Sequence, residues 1–412
     1  MEEWKEYKLG DVSDIQTGPF GSQLHQRDYV DDGTPCIMPT NIGVHLDILS
    51  EGIAKVREED VKRLQKHCVK VGDIIYSRRG DIEKCAFISK REEGWLCGTG
   101  CLRIRINTEV SNPHFIAYQL STNECKKWIV GNAVGTTMLN LNTGILKDLP
   151  LLIPGRKVQD SVVSILKSLD DKIEINRRIN ENLEQQAQAL FKSWFVDFEP
   201  FKDGEFVESE LGMIPKGWRV EILGDVCKCI LGGTPSRNKE EYWNGNIAWI
   251  NSGEVNEFRI VKPSECITEE GLKHSATKLL PKKTTVLAIT GATLGQVSLL
   301  EIDSCANQSV IGVLESDNIP YEFIYPLINV KITELCSHMT GGAQQHINKN
   351  NVEQLNIVLP AENVMTEYKE KTKSIYSQIT NCCFESRRLA ELRDTLLPRL
   401  MSGELKVDKI NL

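Results

Sequence analysis

Ser77-Arg78-Arg79-Gly80 places a hydroxyl and two guanidinium groups in one turn, directly after the β-type run Asp73–Ser77. Such donors suit phosphate oxygens and the acceptor edges of bases, and an Arg fork matches guanine best. A solvated turn would use the same residues. Thr136, Thr137 and Asn140 lie in a second polar loop, and Gln344, Gln345 and His346 lie in a third. Gly18-Pro-Phe-Gly-Ser22-Gln23-Leu-His25 combines two glycines, which would let a phosphate approach the backbone, with three hydrogen-bonding side chains. Thr234, Ser236, Arg237 and Lys239 occupy a comparable loop. Thr40-Asn41 and Asn251-Ser252 each follow a β-type run, and Thr290 and Thr293 follow another. These are donor and acceptor sets suited to recognition.

No catalytic constellation accompanies them. The sequence has no Gly-x4-Gly-Lys-[Ser/Thr] phosphate loop, no GxGxxG, no HExxH and no GxSxG. It also lacks an Asn/Asp-Pro-Pro-aromatic motif for methylating an exocyclic amine, and its seven histidines are scattered. Thirteen cysteines, with no repeated CxxC and no zinc-type Cys/His spacing, read as free thiols of a reducing cytoplasm. Neither a metal site nor a disulfide framework is expected. No signal peptide is read at Met1-Glu-Glu-Trp4, and no stretch approaches 18 apolar residues. A binding or architectural role is favoured.

The chain has 412 residues and a net charge of -8. That length suggests two to four domains. The charge argues against nucleic-acid binding by a broad basic surface, and no large segment of the chain is strongly basic. Any DNA contact must be focal, with a partner supplying much of the phosphate affinity.

An internal repeat sets the organisation. Trp4, Leu9, Gly10, Asp11 and Val12 return as Trp218, Leu223, Gly224, Asp225 and Val226, all at an offset of 214. Gly135, Leu141, Asn142, Leu149 and Pro154 answer to Gly341, Ile347, Asn348, Leu355 and Pro360 at 206. One module of about 210 residues has therefore been duplicated. Each copy opens with short β-type runs such as Cys101–Ile106 and Asn356–Leu359, and residues 113–119 and 321–328 read as short helices. In Cys101–Ile106 the alternation puts Arg103 and Arg105 on the polar face of a half-buried strand, in contact with phosphates or in surface ion pairs. Tyr242, Trp243 and Trp249 read as core, because a duplex reader needs no unstacked base.

Each copy closes with a long helix. Leu169, Ile173, Asn176, Asn180, Leu183, Ala187, Leu190 and Trp194 recur at alternating steps of four and three, the spacing of a coiled-coil seam. The second seam is Ile375, Ile379, Cys382, Ser386, Leu389, Arg393, Leu396 and Leu400, where Arg393 fits a buried position poorly. Pro398 reads as a stop or kink. The two stripes are expected to pack antiparallel about a pseudo-twofold axis, with the globules at opposite ends. A helix of about 35–40 residues spans about 53–60 Å. Two half-sites one turn apart on B-DNA lie about 34–36 Å from each other. From pattern alone, a ruler for a split DNA target and a duplicated protein scaffold remain alternatives.

The layout, together with Leu190-Phe-Lys-Ser-Trp194-Phe-Val-Asp-Phe198 and Leu396-Leu-Pro398-Arg-Leu-Met-Ser402-Gly403-Glu-Leu405, resembles the specificity subunit of bacterial type I restriction-modification enzymes. The Gly18 to His25 string, Gly232-Gly-Thr-Pro-Ser236-Arg-Asn-Lys-Glu-Glu-Tyr242-Trp243 and Ile289-Thr-Gly-Ala-Thr-Leu-Gly295 are similar to further segments of that family. The resemblance covers the whole chain in order. It implies an α+β protein with two pseudo-twofold-related α/β target recognition domains, separated by two long antiparallel helices forming a coiled coil. The expected division is 1–155 and 201–360 for the recognition domains, with 156–200 and 361–412 for the helices.

The resemblance further implies a noncatalytic DNA-binding subunit that reads a bipartite asymmetric target in the major groove. Two modification subunits would use S-adenosylmethionine to methylate adenine, and two restriction subunits would use ATP and Mg. Phe191, Trp194, Phe195 and Phe198 form an aromatic cluster that packs against the recognition domain or the partner helix, or docks a modification subunit, and the two roles are compatible.

Overall fold

The duplication reappears as two copies of one sheet arrangement. The structure is a computed structural model describing residues 4–135, 139–337 and 346–407. It divides into two compact units, Met1–Asp171 with Leu389–Leu412, and Lys172–Arg388. Each takes one recognition domain, the first part of the helix that follows it, and the last part of the other helix.

In the first unit, four antiparallel strands run in the order Ser13–Thr17, Cys101–Ile106, Asp73–Ser77, Cys85–Phe87. Ile15, Ile74 and Ile104 face one core with Phe115 and Ile116 of helix Pro113–Leu120, while Ile75, Ala86 and Cys101 face another with Ile37 and Ile42. Both faces of the central strands are thus covered, and this corrects the half-buried reading of Cys101–Ile106. Arg103 is buried, donating to Asp14 Oδ2 at 2.9 Å and to the Lys66 carbonyl. Arg105 forms a fork on Asp73, with contacts of 2.7 and 2.6 Å. Of the two alternatives for these arginines, the ion pair is what the structure contains. A second sheet orders Tyr29–Val30, Ala54–Val56, Thr34–Ile37 and Leu96–Cys97.

The second unit repeats the plan. Its first sheet runs Cys229–Leu231, Val310–Val313, Thr285–Ala288, Val297–Leu299, and its second runs Glu265–Ile267, Trp243–Ile250, Ser304–Ala306, Leu279–Leu280. The expected helix at 321–328 extends over Tyr321–Ser337 with Pro326 inside it.

The long helices are Arg156–Phe195 and Glu362–Met401, the second continuing past Pro398. Within the second unit, Asn176 Nδ2 donates to Glu385 Oε2 at 2.7 Å, and Asn180 Nδ2 donates to Cys383 Sγ at 3.3 Å. Further along, Ala187 packs with Tyr376, and the Phe195 and Tyr368 rings lie 4.7 Å apart. Partner numbers fall as the first helix advances, so the segments run antiparallel there. In the first unit, Asp170 of the first helix meets Arg393 of the second. Polar side chains at the seam are buried: Asn176, Asn180 and Arg393.

Each unit is closed by a helix end gripping the repeated tryptophan. Gly403 (φ +73°) packs on the Trp4 indole, where an added Cβ would meet Cε2 at 2.9 Å, and Leu400 and Met401 join the same core. In the second unit Trp218 meets Phe195, Phe198 and Phe201. A buried ion pair fastens the sheets of this unit to its helix, with Arg259 Nη2 donating to Glu184 Oε2 at 2.6 Å and Nη1 donating to the Tyr325 hydroxyl at 3.1 Å.

Candidate nucleic-acid interface

Backbone hydrogen bonds gather the polar loops of the first unit at one edge. Gly18 N–H donates to Cys101 O at 2.9 Å, Gly98 N–H to Ile37 O at 2.9 Å, and Arg78 N–H to Gly100 O at 2.8 Å. Leu141 N–H donates to Arg78 O at 2.9 Å, and Arg79 bridges to Asn140. The hub is Gly98-Thr99-Gly100, whose Thr99 hydroxyl donates to Pro19 O. Sequence reasoning passed over this turn, although two glycines between the strands Leu96–Cys97 and Cys101–Ile106 were its available signal.

The second unit builds the same frame. Gly232 N–H donates to Val310 O, Asn307 N–H to Ile250 O, Ile289 N–H to Ser309 O, and Ile347 N–H to Ile289 O. By these bonds Arg78-Arg79-Gly80 corresponds to Ile289-Thr290-Gly291, and the two glycines have φ of +77° and +75°. Asn307-Gln308-Ser309 takes the place of the glycine hub.

The expected contact residues fall into four groups. Ser22, His25, Thr40, Arg79, Ser236, Arg237, Lys239 and His346 are exposed, while Arg78, Asn140, Ser252, Thr290 and Thr293 are half-buried. Arg78 Nε donates to Leu141 O at 3.2 Å, which fixes its side chain beside the loop.

Gly18, Asn41 and Ser77 are buried inside the fold, a correction to their expected role. Gly18 is glycine because an added Cβ would lie 2.0 Å from the Gly98 carbonyl, and no phosphate is needed to explain it. Asn41 is buried, accepting from Met38 N–H and donating to Leu49 O. Ser77 is buried, with its hydroxyl on Arg79 O. Gln23, Thr234 and Asn251 are half-buried: the Asn251 amide oxygen accepts from Gly253 N–H, the Gln23 amide oxygen accepts from Phe20 N–H, and the Thr234 hydroxyl donates to Gln308. Thr136, Thr137, Gln344 and Gln345 lie outside the described residues.

Lys239 Nζ donates to the Tyr242 hydroxyl at 2.8 Å, which holds its ammonium above the ordinary lysine value. Tyr242 and Trp249 are buried, whereas Trp243 is half-exposed and carries the Arg237 guanidinium on its face.

The aromatic cluster belongs to the core. Phe191, Trp194 and Phe195 are buried among Phe323, Tyr368 and Trp218 of the second unit, and Phe198 packs on Phe206 and Trp218. Phe191, Trp194 and Phe195 thus pack inside the second unit, as one of the two expectations has it, while Phe198 is half-buried. All thirteen cysteines are free thiols, and among the described residues no three His, Cys, Asp or Glu side chains group to hold a metal. No described helix is long and apolar enough to cross a membrane.

Fold and loops together define a duplicated recognition protein, with two α+β domains each followed by a long helix. The chain belongs to the family described as the type I restriction modification DNA specificity domain, which matches residues 1–185 and 215–392. The type I restriction enzyme HindI specificity subunit of Haemophilus influenzae is 27% identical over 474 residues, covering 98% of this chain and 100% of the relative. The MjaIX specificity subunit of Methanocaldococcus jannaschii is 26% identical over 416 residues, covering 99% and 95%. The crystal structure of the type I restriction-modification S subunit from M. genitalium shares the fold, with a TM-score of 0.60 at 14% identity over 97% of this chain and 96% of that one.

Proposed function

We propose that this chain is the DNA-reading subunit of a type I restriction-modification assembly, taking a bipartite, asymmetric target in the major groove with one half-site per loop cluster. One observation carries the reading. The two clusters share a hydrogen-bonded frame, yet Arg78-Arg79-Gly80 in the first stands where Ile289-Thr290-Gly291 stands in the second. A common frame with different groove-facing chemistry is what two half-sites of unlike sequence require.

On this reading the chain performs no chemistry of its own. Two modification subunits supply S-adenosylmethionine-dependent adenine methylation, and two restriction subunits supply ATP- and Mg-dependent cleavage. With a net charge of -8, the chain leaves much of the phosphate affinity to them. The assembly works in the cytoplasm, where free thiols persist. Selection of random duplexes by the chain co-purified with its modification subunit tests the proposal. The expected product is two short fixed blocks separated by an unspecified gap. Absence of enrichment, or one contiguous block, would overturn it.

A further inference from the structure

The loop between strands Cys229–Leu231 and Trp243–Ile250 is built around one side chain. Trp243 and Trp249 pack edge to face, with centroids 5.1 Å apart and planes at 85°. Trp249 Nε1 donates to Gly233 O and Trp243 Nε1 to Ser236 O, both at 3.1 Å, so the two indoles tie down the loop backbone. The Arg237 guanidinium carbon sits 3.6 Å from the Trp243 ring centre and 5.1 Å from that of Trp249. Its Nη2 lies 2.7 Å from Glu265 Oε2. A guanidinium stacked and paired in this way has little rotamer freedom left to lose on binding. Its side chain is nevertheless 53% exposed, so the planar group remains open to a ligand.

The first unit has no such holder. Strand register carries Trp249, paired with Glu265, onto Cys36, paired with Ala54. It carries Trp243, paired with Ile267, onto Tyr29, paired with Val56. At the offset that brings Gly232 onto Gly18, Arg237 falls on Gln23, whose side chain is turned to its own loop. A device required by the common fold would appear in both copies. This one serves what distinguishes the second.

We propose that Arg237 is a specificity-determining residue of the second unit, reading one guanine through its planar fork. The inference rests on the function proposed above and adds a named residue and a base. Guanine presents two acceptors, O6 and N7, to the major groove, and these match a bidentate Arg. Glu265 favours a base edge over a phosphate, because a carboxylate beside Nη2 repels a full negative charge more strongly than the partial charges of O6 and N7.

The test maps methylated sites in cells expressing the full chain with its modification subunits, as wild type, R237K and R237Q. Lysine keeps the charge and loses the fork. The R237K complex is expected to assemble, keep the first half-site and the gap, and lose about tenfold or more of its discrimination at one guanine of the second half-site. R237Q is expected to shift that position toward adenine, the base favoured by a side-chain amide. An R237K site list unchanged letter for letter would overturn the inference, showing a phosphate contact or a purely internal role. Loss of all methylation by assembled R237K and R237Q complexes would also overturn it. If the wild-type chain directs no methylation, the proposed function falls and the inference with it.

Discussion

Arg393 Nη1 donates to Asp170 Oδ1 at 2.8 Å within the helix seam of the first unit. Arg393 is 5% exposed, and its other nitrogens reach Asp394 Oδ1 and His45 Nδ1. A charge that fits an apolar seam poorly is thus accommodated by a partner on the opposing helix segment. Asp170→Ala leaves the buried cation with one exposed carboxylate and also removes the acceptor of the Tyr118 hydroxyl. It should destabilise the first unit by about 2 kcal/mol, less than a fully uncompensated buried charge would cost because Asp394 remains. Urea unfolding followed by a probe in that unit measures this. The double change Asp170→Leu with Arg393→Met should recover most of the loss.

Acid should weaken the same unit. His114 stacks on Phe87 at 3.6 Å, and burial, with Lys167 nearby, pushes its pKa down to about 4. Burial also lowers His67. Unfolded, these imidazoles titrate near 6.5. Below that pH the unfolded chain binds more protons than the folded one, so the contribution is complete above about 6.5 and is lost as pH falls toward about 4. The unfolding midpoint of the first unit should drop between pH 7.5 and pH 5, and His114→Phe should reduce the drop. A midpoint that holds or rises on acidification contradicts this.

Phe195 is expected to matter to folding. It meets Tyr368 at 4.7 Å, Phe323 at 5.0 Å and Trp218 at 5.8 Å. Phe195→Ala should cost the second unit about 3–5 kcal/mol. Phe195→Leu, which keeps most of the apolar volume, should retain co-purification with the modification subunit. Loss of the partner by Phe195→Leu at unchanged stability would show a docking role as well.

Arg79 is the exposed guanidinium of the first cluster, while Arg78 is partly engaged with Leu141 O. Arg79→Ala should weaken binding to the first half-site by about 1–3 kcal/mol if the contact is bidentate. Replacing Arg78-Arg79 with the Ile-Thr of the second cluster should change letters in the first half-site and leave the second alone. Binding of the assembled complex to duplexes mutated in one half-site at a time reports both effects. Unchanged preference for the first half-site would remove these arginines from the interface.

Much of the frame was legible because it rests on periodicity. Strands Asp73–Ser77, Cys101–Ile106 and Asn356–Leu359 fall where the sequence puts them, and the seam residues Asn176, Asn180, Ala187, Ile379, Cys382 and Arg393 are buried. Side-chain partners were not legible, because they come from chain segments far apart. The burial of Arg103 depends on a second sheet covering its strand, and Asn41 is occupied by a carbonyl eight residues away. The fate of the Phe191 to Phe198 aromatics depended on Tyr368 and Phe323, which no local pattern joins to them. Loop residues carried the weakest signal, since an exposed Arg and a capping Asn share the same turn composition.

Methylation-sensitive sequencing of genomic DNA from cells with and without this chain, its modification subunit present in both, tests the central claim most directly. The account predicts adenine methylation that appears only with the chain, at one motif of two unlike fixed blocks around an unspecified gap. Methylation independent of the chain, or confined to a single uninterrupted motif, would contradict it.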